Sequence, residues 1–287
     1  MSTLIISEKL DRAREVHHRF SEFASERDDL KVILAYLENT NPEFRSIAYE
    51  SVAMAIALKD LKANGGLDHW RAFMEGPALE HIQQVHVGLG WAMAKANSPL
   101  AELNSIEYLM RPRVFDGHGY YDGLLRTRST IKGKKTPAGL NDMTRVWYDQ
   151  GLGRSIWFLS KGDVQIAKQI ICDFEVARQS ALWKGLGHAA SYIGGCSEKR
   201  LIEMQSVAGE NSVQLGVGAV MAARGRVLSN SITSDTELAC SVWWKLSAKE
   251  LTKLSEDLLP VSTAENIYDI WQKALEQRFA EKELIRQ

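Results

Sequence analysis

Apolar residues in this chain recur every third or fourth position rather than every second. Leu10, Ala13, Val16, Phe20 and Phe23 form the first such series, the spacing of one helix face, with Ser7 before Glu8 as its expected N-cap. Asn41-Pro42 opens a second helix, with proline in the first turn, that runs to Lys62 and stops at Asn64-Gly65-Gly66. A short helix over 67–74 and a long one over 78–97 follow. The same alternation returns as long 141–159, short 163–172, long 175–193, short 198–207 and long 211–228. Helices over 236–244, 248–258 and 265–279 complete the chain. No sustained period-two alternation or hairpin signal appears, so strands are not expected.

Short and long helices alternate because a unit repeats. Val87-Gly88-Leu89-Gly90-Trp91-Ala92 resembles Lys184-Gly185-Leu186-Gly187-His188-Ala189, with Leu215-Gly216-Val217-Gly218 as a weaker third copy. Upstream, Tyr49-Glu50-Ser51 matches Tyr148-Asp149-Gln150, at 39 residues (88−49) and 37 residues (185−148) from the first glycine. The expected fold is all-α: helical-hairpin repeats forming an α-α superhelix or a compact repeat-built domain. One domain spans 1–287, with an N-terminal helical extension (1–40), a repeat core (41–246) and C-terminal helices (247–287). Gly88 and Gly90 lie about 200° apart around a helix of 3.6 residues per turn. They thin it on opposite sides, as close packing between two neighbours requires; ligand contact is the competing explanation.

Composition narrows the function classes. With 35 basic and 36 acidic side chains the net charge is −1, so neither nucleic acid nor an anionic membrane surface is an expected partner. The basic stretch 126–135 contains Gly133 and precedes Pro137, which suits a solvated loop. Cys172, Cys196 and Cys240 are far apart and lack zinc-ligand spacing, so they read as buried thiols in a reducing, cytoplasmic setting. The N-terminus lacks the pattern of a signal peptide, and no apolar stretch reaches the ~20 residues of a membrane span. No metal or cofactor motif is present.

The candidate chemistry is carboxylates among apolar neighbours. Residues 47–58 are apolar on every side, so Glu50 is either half of a buried ion pair with an arginine from another unit or an acid facing a cavity. Asp149 occupies the matching position in the later copy and could face the same interior. Phe115-Asp116-Gly117-His118-Gly119-Tyr120-Tyr121-Asp122-Gly123 concentrates acids, a histidine and tyrosines among glycines. It reads equally as a functional cluster and as a turn between helices. Asp122 and Arg126, four apart, suit a surface ion pair. His86 fits a hydrogen-bonded core position; His17-His18 fits a solvated one.

At these residues the chain resembles the UnbL-like family, a family of unknown biochemical function found among enediyne biosynthesis proteins. The resemblance covers about 40–245. It rests on Phe44-Arg45-Ser46, Ala48-Tyr49-Glu50, Phe115-Asp116-Gly117-His118-Gly119, the run from Tyr148-Asp149-Gln150 to Trp157-Phe158, Trp183-Lys184-Gly185-Leu186-Gly187-His188, and Thr236-Glu237-Leu238-Ala239-Cys240. Ser51 stands where the family pattern has glycine. The resemblance implies an accessory protein of a bacterial polyketide-type pathway that handles a polyene. The expectation is an acid–base catalyst acting on a hydrophobic intermediate. Glu50, Asp149, His118 and Asp116 are its candidate acids and bases, and Tyr49, Tyr148, Arg154, Trp183, Tyr121 and Asp122 its binding residues. The alternative is a helical-repeat scaffold that docks polyketide-pathway proteins. An interior pocket with converging carboxylates would favour the first, an open aromatic groove the second.

Overall fold

A computed structural model of the chain describes residues 2–63, 66–100, 103, 106–262 and 264–284. These residues form fourteen α-helices and no strand: α1 (Ser2–Ser25), α2 (Leu30–Glu38), α3 (Pro42–Lys62), α4 (Asp68–Glu75), α5 (Ile82–Ala96), α6 (Arg111–Leu125), α7 (Asp142–Leu159), α8 (Val164–Cys172), α9 (Val176–Ile193), α10 (Glu198–Ala208), α11 (Ser212–Leu228), α12 (Ser234–Trp244), α13 (Ala248–Asp257) and α14 (Ile267–Leu284). The expected all-α class holds. Most starts carry the caps that the sequence offers. The Asn41, Asn141, Asp163 and Ser247 side chains each accept a backbone N–H of the first turn. The expected stop at Asn64 and Gly65 lies outside the described residues.

Six long helices, α3, α5, α6, α7, α9 and α11, pack side by side in that order. They run in the same direction, because contacts climb together: Ser46 pairs with His81 and Glu50 O faces Gly88, while Asp149 pairs with Arg178 and Leu182 O faces Gly153. Parallel neighbours need a return segment, which the short helices α4, α8 and α10 supply. The row curls until its ends meet. Arg226 on α11 donates to Glu43 O at the start of α3 (2.6 Å), and Gly225 lies against Gln84 of α5.

Glycine makes this packing possible. A Cβ on Gly88 would lie 2.3 Å from Glu50 O, and one on Gly90 2.1 Å from Val114 O. The two glycines therefore thin α5 on opposite sides, one toward α3 and one toward α6. A Cβ on Gly185 would lie 1.8 Å from Gln150 O and 2.9 Å from Arg154 N, one helical turn of α7. Gly119, Gly151 and Gly218 meet an i carbonyl and an i+4 amide of a neighbouring helix in the same way. Close packing, not ligand contact, is what these glycines do.

Two further helices pack on the ring. α1 runs alongside α3, with Lys9 on Glu43 (2.5 Å) near their starts and Lys59 on Asp28 (2.7 Å) near their ends, and reaches the ends of α7 and α9: Ile6 packs at Gly162 and Gly195, Arg14 donates to Phe158 O (3.3 Å), and Lys9 also meets Asp235 (2.7 Å). α14 lies against the opposite ends of α7, α9 and α11 through Asp269–Trp147 (2.9 Å), Tyr268–Gln150 (3.0 Å) and Glu276–Lys184 (2.7 Å).

Several local expectations need correction. α1 starts at Ser2, so Ser7 lies inside the helix and is no cap. Residues 79–81 form a separate 3-10 turn ahead of α5. The glycine-rich cluster 115–123 is not a turn; it is the body of α6, buried along nearly its whole length. The stretch 126–135 is not a plain solvated loop. It contains a π-helical turn, Arg128–Lys132, with Thr130 and Ile131 buried. Cys196 and Cys240 are buried, but Cys172 is exposed.

Candidate functional site

The curled row of helices and α1 line a cavity of about 470 Å³ that opens to the surface on one side. Its walls come from the inward faces of the long helices. Ile47 and Met54 of α3, Val87 and Trp91 of α5, and Phe158 of α7 supply apolar surface. Polar groups enter from the same helices: Glu50, Gln83, Gln84, Arg113, Arg154 and His188. α1 lines the cavity with Ala13, Arg14 and His17. Exposed Leu125 and His18 stand at its rim.

Glu50 is 4% exposed. Its nearest opposite charge is the Arg154 guanidinium at 3.9 Å, too far for a hydrogen bond. Burial pushes its carboxyl up to about 7; Arg154 opposes the shift, and Asp116 adds to it. The sequence left an ion pair and a cavity-facing acid open for Glu50. The geometry is a cavity-facing acid with a long, weak ion pair.

Arg154 is held elsewhere. It donates to Asp116 Oδ2 at 2.9 Å and lies over the Tyr120 ring at 4.3 Å. Arg113 approaches the same Asp116 oxygen at 3.8 Å and donates to the sulfur of Met221. Asp116 does not line the cavity. It stands behind the two arginines and fixes them. His188 lies among Arg154, Arg113 and Arg226; burial and these three charges hold its pKa well below the ordinary value, so its imidazole is neutral. His17, expected to be solvated, is half-buried with its Nε2 shielded from solvent. Its ring lies tilted against Trp91 with centroids 4.3 Å apart, and its pKa falls to about 4 through burial, then Lys95 and His18. The Nε2 of His17, Nε1 of Trp91 and hydroxyl of Tyr192 have no protein hydrogen-bond partner. All three residues line the cavity.

Of the residues singled out from sequence, Glu50, Arg154 and Tyr121 line this cavity and Asp116 buttresses it. Asp149 does not share the interior; Arg178 closes it with paired hydrogen bonds, one of 2.8 Å from Nε. Tyr49 stacks on His81 at 3.9 Å, and Trp183 is buried outside the cavity wall. His118 and Asp122 belong to a second, more polar cavity of about 370 Å³ with Arg126, Thr130 and Lys135. There Asp122 accepts from Tyr148 Oη and Arg126, both at 2.9 Å. Its ion pair with Arg126 is therefore buried at the acid end, not a surface pair. His118 Nδ1 lies 3.3 Å from Asp122 without a hydrogen bond.

Sequence reasoning missed Arg113, His188, Trp91 and His17 as cavity residues. Arg113 and His188 lie beside motifs that drew attention, but once α6 is read as a turn nothing places Arg113 on an inward face. Among the described residues no group of three His, Cys, Asp or Glu side chains could hold a metal ion, and no helix is long and apolar enough to cross a membrane.

Fold and site together define an all-α protein with a deep internal cavity, largely apolar in its walls and ionisable at one side. Residues 7–279 match the model of the family described as a protein of unknown function (DUF1702), and the chain belongs to that family. No curated protein and no solved structure matches the chain.

Proposed function

We propose that the protein holds a hydrophobic small molecule in the central cavity and that Glu50 transfers protons to and from it. The observation that carries this reading is a carboxyl facing an apolar-walled cavity with its pKa raised to about 7. Such a group is protonated and ionised in comparable amounts near neutral pH, which suits both proton donation and proton removal. On a conjugated polyene, the Glu50 carboxyl gives its proton to one carbon, and the resulting carboxylate removes a proton from another. The net result is an isomerised or cyclised product with the proton inventory unchanged. Arg154 supports the carboxylate stage from 3.9 Å, and the neutral imidazoles of His17 and His188 add no competing positive charge.

The biological setting we propose is bacterial natural-product biosynthesis of the enediyne or polyketide type, on the strength of the motif resemblance. A docking scaffold is less favoured, because Glu50, Arg113, Arg154 and His188 are buried groups that converge on one cavity rather than exposed side chains spread over a surface. The test is a deletion strain complemented with wild type or with Glu50→Gln, compared by untargeted metabolite profiling. The expected outcome is a Glu50→Gln profile that matches the deletion while the purified variant stays folded. A folded variant with a wild-type profile would exclude Glu50 from the chemistry.

A further inference from the structure

The cavity carries an uneven charge at one side. Arg113 and Arg154 are 3% and 8% exposed, and Arg226, 1% exposed, adds a third buried guanidinium near His188. Against these three stand two carboxyls, Asp116 and Glu50. Asp149 and Asp122 are engaged elsewhere, with Arg178 and Arg126.

Arg113 is the least satisfied of the group. A guanidinium offers five N–H donors. The hydrogen bond that Arg113 makes goes to a thioether, a weak acceptor, and its acid neighbour is 3.8 Å away. Yet its side chain lines the cavity. A buried guanidinium facing a cavity with donors to spare calls for an acceptor that the ligand brings. Arg154 faces the same space, and Asp116 Oδ2 lies within 3.8 Å of both guanidinium groups. The two forks thus converge at one end, while Ile47, Met54 and Phe158 offer only hydrocarbon and ring surface to the rest of a ligand, and Trp91 its ring with one unpartnered N–H.

We infer that the molecule held in this cavity is an amphipathic carboxylate, its carboxyl group seated on Arg113 and Arg154 and its unsaturated hydrocarbon body lying along the apolar wall. The inference rests on the small-molecule reading above and names the ligand class for it. A carboxylate fits better than a phosphate monoester. Its two oxygens match a fork of planar donors. The cavity volume also lies within the ~300–1,000 Å³ of pockets that hold ligands of this size.

The probe is cis-parinaric acid, a linear conjugated tetraene whose fluorescence rises in apolar surroundings. It is titrated into the full-length protein beside parinaryl alcohol, the methyl ester and parinaryl phosphate. The acid is expected to bind at least about tenfold more tightly than the alcohol or ester, the size of a charge-assisted hydrogen bond, and more tightly than the phosphate. Arg113→Met is expected to remove most of the preference for the acid over the alcohol. Alcohol and acid binding equally to wild type would overturn the carboxylate inference and leave the hydrophobic-ligand reading standing. Tighter binding of the phosphate would also overturn it, in favour of a phosphorylated ligand. Failure of every probe to bind would overturn both readings. The wild-type comparisons decide the matter even if Arg113→Met does not fold.

Discussion

Glu50 and Asp149 show how far one residue of register can separate two carboxylates. From sequence they are equivalent, each following a tyrosine at similar distance from a Gly-Leu-Gly. In the structure Gly88 meets Glu50 O and Met54 N, whereas Gly185 meets Gln150 O and Arg154 N. The true counterpart of Glu50 is therefore Gln150. A shift of one residue turns a side chain by about 100° around a helix, which takes Asp149 out of the cavity and onto Arg178. The two positions should respond oppositely to amidation. Asp149→Asn breaks a buried, hydrogen-bonded pair and strands Arg178, at a cost of about 3–5 kcal/mol. Glu50→Gln removes a charge that burial disfavours. The folded pKa of Glu50, about 7, lies above its ordinary value of 4.5, so its contribution is fully present below pH 4.5 and lost as pH rises through 7. At pH 8 the glutamine variant should be more stable than wild type by roughly 1–3 kcal/mol, and at pH 5 the difference should shrink. Chemical denaturation at the two pH values measures both. A Glu50→Gln protein much weaker than wild type at pH 8 would restore the structural ion pair.

At the scale of elements, the long periodic helices were legible because their apolar spacing, caps and terminal glycines agree. α6 was not, because its sequence breaks the usual grammar. Gly117, Gly119 and Gly123 look like turn residues, yet each meets a neighbouring helix: Val87, Tyr148 and Ser155 in turn. The helix survives glycine because its backbone is enclosed by α5 and α7, so tertiary packing overrides propensity. α2 was not singled out within the expected N-terminal helical extension, although its cap Asp29 and the apolar series Leu30, Ile33, Leu34 and Leu37 were there to be read. The same contacts give a sharp expectation for Gly185→Ala. Alanine favours a helix by about 1 kcal/mol over glycine, but its Cβ would collide with the backbone of α7. Net destabilisation of at least about 1–3 kcal/mol is expected; a variant melting at or above wild type would show that the helices part easily. α1 makes a different kind of contact. It lines the cavity, so a ligand inside should hold it in place. Adding cis-parinaric acid should slow amide exchange in residues 6–25 more than in α10, which does not border the cavity. Equal slowing in both would separate α1 from access to the cavity.

For the whole molecule, the ring and the two helices packed on it put an unusual share of titratable groups out of water, and this sets how it should respond to acid. His86 was legible as a hydrogen-bonded core histidine; the closure through Arg226 and the burial of His81 and His188 were not, because they depend on which faces meet between segments far apart in the chain. His17, His81 and His86 each have a folded pKa of about 4, lowered mainly by burial, and His188 lies well below its ordinary value. A histidine whose pKa is depressed on folding contributes stability that is present above 6.5 and lost as pH falls toward 4, because the unfolded chain takes up the proton first. Each of the three shifts to about 4 corresponds to about 3 kcal/mol when fully expressed. Glu50 works in the opposite direction over nearly the same interval, gaining stability as pH falls from 7 to 4.5, and burial raises Asp149 and Asp269 in the same sense. Four histidines against these three carboxyls leave a net uptake of protons on unfolding between pH 6.5 and 5. The melting temperature should therefore drop steeply across that range, by much more than a protein with exposed histidines would show. His17→Phe keeps a ring against Trp91 and removes one of the four groups, so its melting temperature should fall less over the same interval. A wild-type melting temperature that stays flat from pH 7 to pH 5 would mean that the histidines exchange protons freely with solvent in the folded state. Water would then reach the buried faces of the ring, and the burial that raises the pKa of Glu50 would be in doubt as well.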